Sequence, residues 1–223
     1  MAASARSLVL RHTRLREVPG LPGLRLHLAD EVLPLWHAVQ LQTGDPDAAL
    51  PYWAFAWAGG LALGHYLREH PDVVAGRRVF DLASGSGLVA IAALQAGAQR
   101  ATAADIDPFA AAAIGLNARA NRVRIGIVDA DVLGDEPPDA DVVLAGDCFY
   151  EEPLARRVEP WLRRASERGM TVLVGDPGRR YLPTEGLERL ATYDVRTTTE
   201  LEDLERKQAA VHVVRPGAPA LRT

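Results

Sequence analysis

The stretch VFDLASGSG, residues 79–87, decides the fold. An apolar run leads directly into small residues and two glycines, which is typical of a β-strand followed by a tight turn and the start of a helix. Residues 85–90, GSGLVA, also fit the G-x-G-x-x-A pattern of dinucleotide-binding enzymes, and Asp105 follows at the spacing expected of a ribose-binding acid. A single match of this kind has low specificity, so other residues have to identify the ligand.

The composition indicates a globular chain and disfavours nucleic acid as its partner. Of 223 residues, 48% are hydrophobic, which is enough for a sizeable core, and the formal net charge of -4 comes with no basic block, which disfavours nucleic acid as a partner. Cys148 is the only cysteine, so we expect a reducing compartment and a cytoplasmic protein. We expect no membrane span, and the six histidines show no metal-ligand spacing, so no metal site is predicted.

The first part of the chain, residues 1–50, predicts N-terminal strands and a helix packed on the core. Residues 7–18 and 24–28 are predicted as strands around a Gly/Pro turn, and residues 30–42 as a short helix broken by Pro34. The first 16 residues are rich in arginine and lack acids, so a transit peptide is an alternative to the first strand.

Residues 51–223 alternate between strand and helix patterns and predict one ligand-binding domain, with the N-terminal part belonging to the same structural domain. The strands are predicted at 77–83, 100–105, 125–130, 140–147, 170–176, 193–200 and 209–216, and the helices at 87–97, 107–121 and 153–169. Such alternation predicts an α/β fold with a doubly wound, mostly parallel seven-stranded sheet, and we expect the last two strands to form an antiparallel edge.

Acidic residues follow several of the predicted strands, at the edge of the sheet where ligands bind in doubly wound folds. Asp81 discriminates between ligands, because a carboxylate at the mouth of the glycine turn would repel a pyrophosphate but attract an ammonium. S-adenosylmethionine carries an ammonium, a sulfonium, a ribose diol and an adenine. We therefore expect Asp81 near the methionine amine, Asp105 on the ribose hydroxyls and Asp131 on the adenine amino group. Asp131 and Asp176 are also explained as ordinary turn residues.

The residues around these acids complete the predicted cofactor pocket. Small residues of the turn would let the backbone approach the methionine portion, and a segment with helical spacing from Trp57 to Leu67 would cover it. The predicted cofactor-binding residues are Trp57, Gly60, Asp81, Ala83, Ser84, Gly85, Gly87, Asp105, Ile106, Asp131 and Val132. Trp53 and Trp57 are four residues apart and would share one face if that segment were helical, although simple packing explains them equally well.

At these residues the chain resembles the seven-β-strand S-adenosylmethionine-dependent methyltransferases, whose first motif is an acid followed by Gly-x-Gly-x-Gly; here Ala83 replaces the first glycine. Residues 51–67, 76–98, 104–110, 146–152 and 172–179 resemble the motifs of the electron transfer flavoprotein β-subunit lysine methyltransferases and their bacterial relatives. The resemblance implies a Rossmann-like methyltransferase fold, S-adenosyl-L-methionine as cofactor, and methylation of a protein lysine, with the flavoprotein β subunit as a candidate partner.

The stretch GDCFY, residues 146–150, supplies the predicted catalytic residues. Asp147 stands at the end of a predicted strand and would lie beside the transferred methyl group, where it would orient the acceptor amine or accept its proton. Phe149 and Tyr150 would line the channel for the target side chain, since in related methyltransferases an acid-x-x-aromatic stretch faces the substrate. Both aromatic residues are also explained as core residues, and Cys148 is interpreted as strand packing.

Three alternative functions remain open at the level of sequence. A methyltransferase for a small molecule or natural product has the same cofactor motifs, and residues 1–60 and 181–223 would set the choice. A nicotinamide oxidoreductase is disfavoured by Asp81. A noncatalytic cofactor-binding protein is disfavoured by the intact GDCFY stretch. The acceptor, the degree of methylation and the oligomeric state are not encoded in these motifs.

Overall fold

The computed structural model describes residues 2–197 and 206–217. The α-helices within those ranges are α1 (Ala2–His12), α2 (Val32–Thr43), α3 (Ala58–Glu69), α4 (Leu88–Gln95), α5 (Pro108–Ala120) and α6 (Glu152–Glu167). The strands are β1 (Arg14–Glu17), β2 (Arg25–Leu28), β3 (Arg78–Leu82), β4 (Arg100–Asp105), β5 (Ile125–Asp129), β6 (Val142–Gly146), β7 (Thr171–Asp176), β8 (Leu187–Arg196) and β9 (Arg206–Val214).

The main sheet has the strand order β5-β4-β3-β6-β7-β9-β8. Strands β3 to β7 are parallel to one another, whereas β9 pairs antiparallel with both β7 and β8. The predicted fold class and the antiparallel edge are therefore confirmed. Of the strand predicted at 193–200, the structure describes β8 as far as Arg196, and residues 198–200 lie outside the described ranges. The strand order reverses direction at β3 and β6, and ligands bind at such switch points.

Two apolar layers enclose the sheet. Helices α3 and α4 cover one face, where Leu61 and Ile91 are fully buried in the same cluster as Leu144. Helix α6 covers the other face, where Trp161 packs into the cluster that includes Val143. Because both faces are covered, the parallel strands consist of nearly continuous apolar residues, and the strand ends are the place where polar side chains become accessible.

Helix α3 approaches the ends of β6 and β7 unusually closely, and glycines make this possible. A Cβ at Gly59 would lie 2.1 Å from the carbonyl oxygen of Gly175, and a Cβ at Gly146 would lie 3.1 Å from the backbone of Gly60. A side chain at Gly59 would require the backbone to shift, and one at Gly146 would make a tight contact. These glycines bring the N-terminus of α3 to the edge of the sheet where the predicted catalytic residues lie.

The first predicted strand is wrong for residues 7–12. These residues belong to α1, which packs against α5, and the strand pairing is limited to β1 and β2. The reason is that Ala5, Leu8 and Val9 have helical spacing and are buried together in one cluster. The second half of the predicted segment does contain a strand, β1, although all four of its residues are exposed, so burial does not alternate there.

Two details of the predicted helices also differ from the structure. Pro34 does not break α2, because it lies in the first helical turn, where backbone amides have no partner within the helix. Trp53 and Trp57 do not share a helical face: Trp53 lies in the 3-10 turn Tyr52–Ala54, and Trp57 is the residue that precedes α3. The chain between them is extended at Phe55, so the helical spacing starts only at Ala58.

The N-terminal elements are joined to the main sheet through α5. The amide groups of Arg25 and His27 in β2 donate hydrogen bonds to the side chains of Asn121 (2.9 Å) and Asn117 (2.7 Å). Asn117 is fully buried and also donates to the backbone oxygen of Ser86 in the glycine turn. Within residues 2–197 and 206–217, none of the helices has the length and apolar composition that a membrane crossing requires.

Candidate active site

The glycine turn between β3 and α4 is braced by a buried carboxylate. Asp81 is 1% exposed and accepts hydrogen bonds from the Ser84 hydroxyl (2.5 Å) and the Ala90 amide (3.1 Å). Burial raises the pKa of Asp81 to about 7, and the nearby Asp105 adds to this shift. Asp81 therefore holds the turn in shape. A cation placed beside it would favour its ionised form.

The turn itself contains three left-handed residues. Ala83, Gly85 and Gly87 have φ angles of 50°, 54° and 81°. Left-handed backbone is strained for alanine, which explains why glycine is the usual residue at the position of Ala83 in the motif that the sequence resembles. A Cβ at Gly85 would meet only the Trp53 backbone, at 3.7 Å, so the turn is open on this side.

Asp105 lies beside the glycine turn at the end of β4. Its carboxylate accepts hydrogen bonds from the amides of Gly85 (2.8 Å) and Asp107 (3.0 Å), and burial raises its pKa. The next residue, Ile106, is 70% exposed, an unusual position for a large apolar side chain. The two residues together present a carboxylate and an apolar surface, which suits a ribose and a flat ring.

Asp131 lies beyond the end of β5 and is partly exposed. It forms an ion pair with Arg157 of α6 at 2.7 Å, and the hydrogen bond from Arg157 lowers its pKa. Its neighbour Val132 packs against the core and accepts a hydrogen bond from the Trp161 indole. The sequence did not single out Arg157 or Asp129, the last residue of β5, which stands opposite Asp105 in the sheet register. Asp129 was detectable, since it ends an apolar strand.

Asp147 lies between the ends of β6 and β7 and the N-terminus of α3. It is 8% exposed, has a φ angle of 55°, and one carboxylate oxygen accepts a hydrogen bond from the Gly60 amide at 3.0 Å. The other oxygen accepts two bonds from the Arg179 guanidinium, the shorter at 2.8 Å. Burial raises the pKa of Asp147 to about 6, opposed by Arg179 and reinforced by Asp176.

The predicted aromatic residues separate into two groups. Phe149 is 1% exposed in the core beneath the sheet edge, and Cys148 is buried in the same cluster, as predicted for the cysteine. Tyr150 is 37% exposed, and its ring centroid lies 5.1 Å from that of Tyr52, which in turn lies 5.6 Å from Trp57. Phe149 is thus placed as a packing residue, whereas Tyr150 belongs to an aromatic surface beside Asp147.

Trp53 is buried in the apolar cluster against which Trp57 packs. It is 1% exposed and its ring stacks against Phe109 of α5, with centroids 6.2 Å apart. The packing interpretation of Trp53 therefore fits its position. Trp57 is half-buried, and its indole donates a hydrogen bond to the Tyr52 carbonyl oxygen at 2.8 Å.

Comparison with known proteins identifies the type of enzyme. The family model described as ribosomal protein L11 methyltransferase (PrmA) matches residues 65–175. Among solved structures, a putative RNA methyltransferase from Pyrococcus horikoshii aligns with a TM-score of 0.56 at 17% identity, over 77% of this chain and 91% of that one. Magnesium protoporphyrin IX methyltransferase from Synechocystis, solved with bound S-adenosylhomocysteine, aligns with a TM-score of 0.51 at 15% identity, over 70% of this chain and 81% of that one. These two likenesses show the fold.

Curated relatives are more similar in sequence. The electron transfer flavoprotein beta subunit lysine methyltransferase of Xenopus laevis is 36% identical over 208 residues, which cover 91% of this chain and 83% of that protein. The Homo sapiens protein of the same name is 48% identical over 131 residues, but these cover 58% of this chain and half of the human protein. The identity thus extends well beyond the cofactor motifs, and the chain belongs to the family of the electron transfer flavoprotein beta subunit lysine methyltransferases.

Proposed function

We propose that this methyltransferase binds S-adenosyl-L-methionine at the edge formed by β3 to β6 and methylates lysine residues of an electron transfer flavoprotein β subunit. The observation that carries the proposal is the match to the Xenopus laevis enzyme over 91% of the chain. The small-molecule alternative has no comparable support, because curated relatives matched over more than 200 residues, from Xenopus laevis and Caenorhabditis elegans, are named after protein-lysine methylation.

The side chains at the sheet edge fit this cofactor. The open glycine turn, the buried Asp81 and the pair of Asp105 with the exposed Ile106 supply space, negative charge and an apolar surface at neighbouring strand ends. We assign Asp105 to the ribose, Ile106 and Val132 to the faces of the adenine, and Asp131 to its amino group. The methionine portion is assigned to Trp57, Gly60, Asp81, Ala83, Ser84, Gly85 and Gly87.

The cofactor supplies a methyl group on a sulfonium, and the acceptor amine has to be uncharged to receive it. Deprotonating a lysine at pH 7 costs about 4–5 kcal/mol from its reference pKa near 10.4. In our proposal Asp147 orients the amine and takes up its proton directly or through water. Tyr150, with Tyr52 and Trp57, holds the aliphatic stem of the lysine, while Phe149 supports the segment from the core.

The test is a methylation assay with purified flavoprotein β subunit from the same host and labelled S-adenosylmethionine. We expect label in the β subunit at lysine, found by mass spectrometry, and several-fold less label with an Asp105→Asn enzyme when the cofactor is limiting. Extract from the host, freed of small molecules by gel filtration, is assayed in parallel. Label that appears only in the small-molecule fraction of complete extract would contradict protein methylation.

A second protein acceptor is favoured by one observation. The family model that matches residues 65–175 is described by ribosomal protein L11 methylation. Curated enzymes of that name match this chain less well than the Xenopus laevis enzyme: the one from Geobacter metallireducens is 30% identical over 73% of this chain, against 36% over 91%. Purified ribosomal protein L11 is therefore included as an acceptor, and we expect methylation of the β subunit to be the faster reaction.

A further inference from the structure

The ion pair of Arg179 with Asp147 is an element of the site that the proposed function leaves unexplained. We propose that Arg179 is a positioning residue for methyl transfer, which keeps Asp147 ionised and offsets its charge so that the acceptor amine can lose its proton. This inference rests on the proposed function for the identity of the acceptor. Arg179 lies in the loop after β7, and without this role the loop would be interpreted as a simple turn.

Arg179 is held at its guanidinium by two residues and at its backbone by a third. Two of its nitrogens donate to the same Asp147 oxygen, at 2.8 and 3.2 Å, and its central carbon lies 5.6 Å from the centroid of the Trp57 ring. Its backbone is held by Asp176, which is 0% exposed and accepts hydrogen bonds from the amides of Gly178 and Arg179, both at 2.7 Å. A planar, always charged group held in this way is suited to setting the charge of its partner.

Methyl transfer depends on the balance of charge around the acceptor amine. A buried carboxylate without a cation either takes up a proton itself or holds a nearby ammonium in its charged form. Both outcomes stop methyl transfer, since the first leaves no carboxylate to take up the proton of the amine and the second blocks the lone pair of the amine. With Arg179 at 2.8 Å, Asp147 keeps its carboxylate form while the pair carries no net charge. A lysine amine placed there is then oriented without being kept protonated.

The groups that face Asp147 from the surrounding elements are few. Arg179 and Asp176 come from the loop after β7, and Cys148 follows Asp147 in its own segment. Helix α3 contributes the Gly60 amide and the positive end of its dipole. Lys207 of β9 interacts electrostatically with Asp176, which separates it from Asp147. Among the described residues, Arg179 is the cation in direct contact with Asp147 and lowers its pKa, so its removal is expected to raise that pKa.

The first measurement needs no acceptor protein. Carbon-13 NMR titration of the aspartate carboxyl groups, with the Asp147 signal assigned by its loss in Asp147→Asn, follows the ionisation of this side chain. Relative to the parent, we expect the Asp147 midpoint to rise by about one pH unit or more in Arg179→Gln and to stay closer to the parent in Arg179→Lys, because an opposite charge at contact shifts a pKa by about 1–3 units. If Arg179→Gln does not fold, Arg179→Met is titrated instead.

The matched control is Arg180→Gln. The neighbouring Arg180 is exposed, and its guanidinium lies over the Tyr181 ring, 5.5 Å from the centroid. We expect its titration and activity to equal those of the parent. An unchanged Asp147 midpoint in Arg179→Gln would overturn the proposal, and so would an equal shift in both variants.

The second measurement is the pH dependence of flavoprotein β-subunit methylation. We expect the pH of half-maximal rate to rise by about one unit in Arg179→Gln, with partial rescue in Arg179→Lys. A rate that falls by the same factor at every pH would show a merely structural role and overturn the inference. If the parent methylates no β subunit at any pH, the proposed acceptor fails, while the NMR titration still decides the role of Arg179.

Discussion

At the scale of single residues, the aspartate that ends β4 and the one two residues later have different tasks. Asp105 accepts bonds from two backbone amides and lies beside the open turn, whereas Asp107 caps α5 by accepting a bond from the Phe109 amide at 2.8 Å. Asp107 is the first residue of the helix that the sequence predicts at 107–121, and the structure places it as the cap of α5. The side chains can therefore be separated experimentally into cofactor binding and stability.

Replacing Asp105 by asparagine is expected to lower the affinity for S-adenosylhomocysteine at least tenfold. The substitution keeps the shape of the side chain but removes the charge that accepts the ribose hydroxyls, and each such bond is worth about 1.5–3 kcal/mol. Asp107→Ala is the control, with an expected loss of about 1 kcal/mol in unfolding free energy and an affinity within a few-fold of the parent. Calorimetry and urea unfolding measure the two effects; the reverse pattern would show that the ribose acid is Asp107.

Replacing Ala83 by glycine is expected to stabilise the protein. Left-handed backbone costs an alanine about 1–2 kcal/mol, and part of the gain is offset by the greater freedom of glycine in the unfolded chain. The net expectation is an increase of about 0.5–1 kcal/mol in the free energy of unfolding. Gly87→Ala is the opposite change, with a φ of 81° and a Cβ 3.3 Å from Ile114, and should destabilise the protein. Urea unfolding curves in which both variants shift in the same direction would refute this reasoning.

At the scale of elements, the N-terminus of α3 depends on contact between backbones. A Cβ at Gly59 would lie 2.1 Å from the Gly175 oxygen and 2.6 Å from the Asp147 carboxylate, whereas the nearest atom to a Cβ at Gly60 is a Val89 methyl group at 3.7 Å. Two neighbouring glycines of one helix therefore differ sharply in the room around them.

Gly59→Ala is expected to lower the unfolding free energy by about 3 kcal/mol or more, because backbone must move to relieve the overlap. Gly60→Ala is expected to stay within about 1 kcal/mol of the parent, since alanine favours the helix and meets no close atom. Thermal unfolding compares the two variants directly. Equal stability of both would mean that α3 can slide along the sheet at little cost.

The elements that local pattern determines were predictable, and the contacts between them were not. The strands and helices from β3 to β7 follow from apolar runs, glycine turns and the Asp107 cap, all of which act within a few residues. The contact of Gly60 with Asp147 joins residues 87 positions apart, and that of Arg157 with Asp131 joins residues 26 apart. No local pattern encodes such partners, which is why the acids were placed correctly at strand ends while their bonding partners were missed.

At the scale of the whole molecule, the parallel sheet collects acids at one edge. The pKa values of Asp81, Asp105, Asp107, Asp147 and Asp176 are all raised, with burial the largest cause in each case. For an acid whose folded pKa exceeds its unfolded value, the protonated form favours folding, so its contribution to stability is lost as pH rises from about 4 toward the folded value. A bound cation has the opposite preference, since it favours the ionised carboxylates.

This opposition predicts how cofactor affinity depends on pH. With the pKa of Asp81 at about 7 in the ligand-free protein, placing the cofactor ammonium beside it requires loss of a proton. The affinity for S-adenosylhomocysteine should therefore rise about tenfold between pH 6 and pH 8. Calorimetry at pH 6 in two buffers of different ionisation enthalpy should detect the release of nearly one proton per ligand bound.

Asp81→Asn should flatten this pH dependence, whereas Asp131→Asn should keep the slope even if it weakens binding. The reason is that the pKa of Asp131 is already lowered by Arg157, so that its charge does not change between pH 6 and pH 8. An affinity that stays constant from pH 6 to pH 8 in the parent would place the ammonium away from Asp81. The buried acid would then serve only to brace the glycine turn through Ser84 and Ala90.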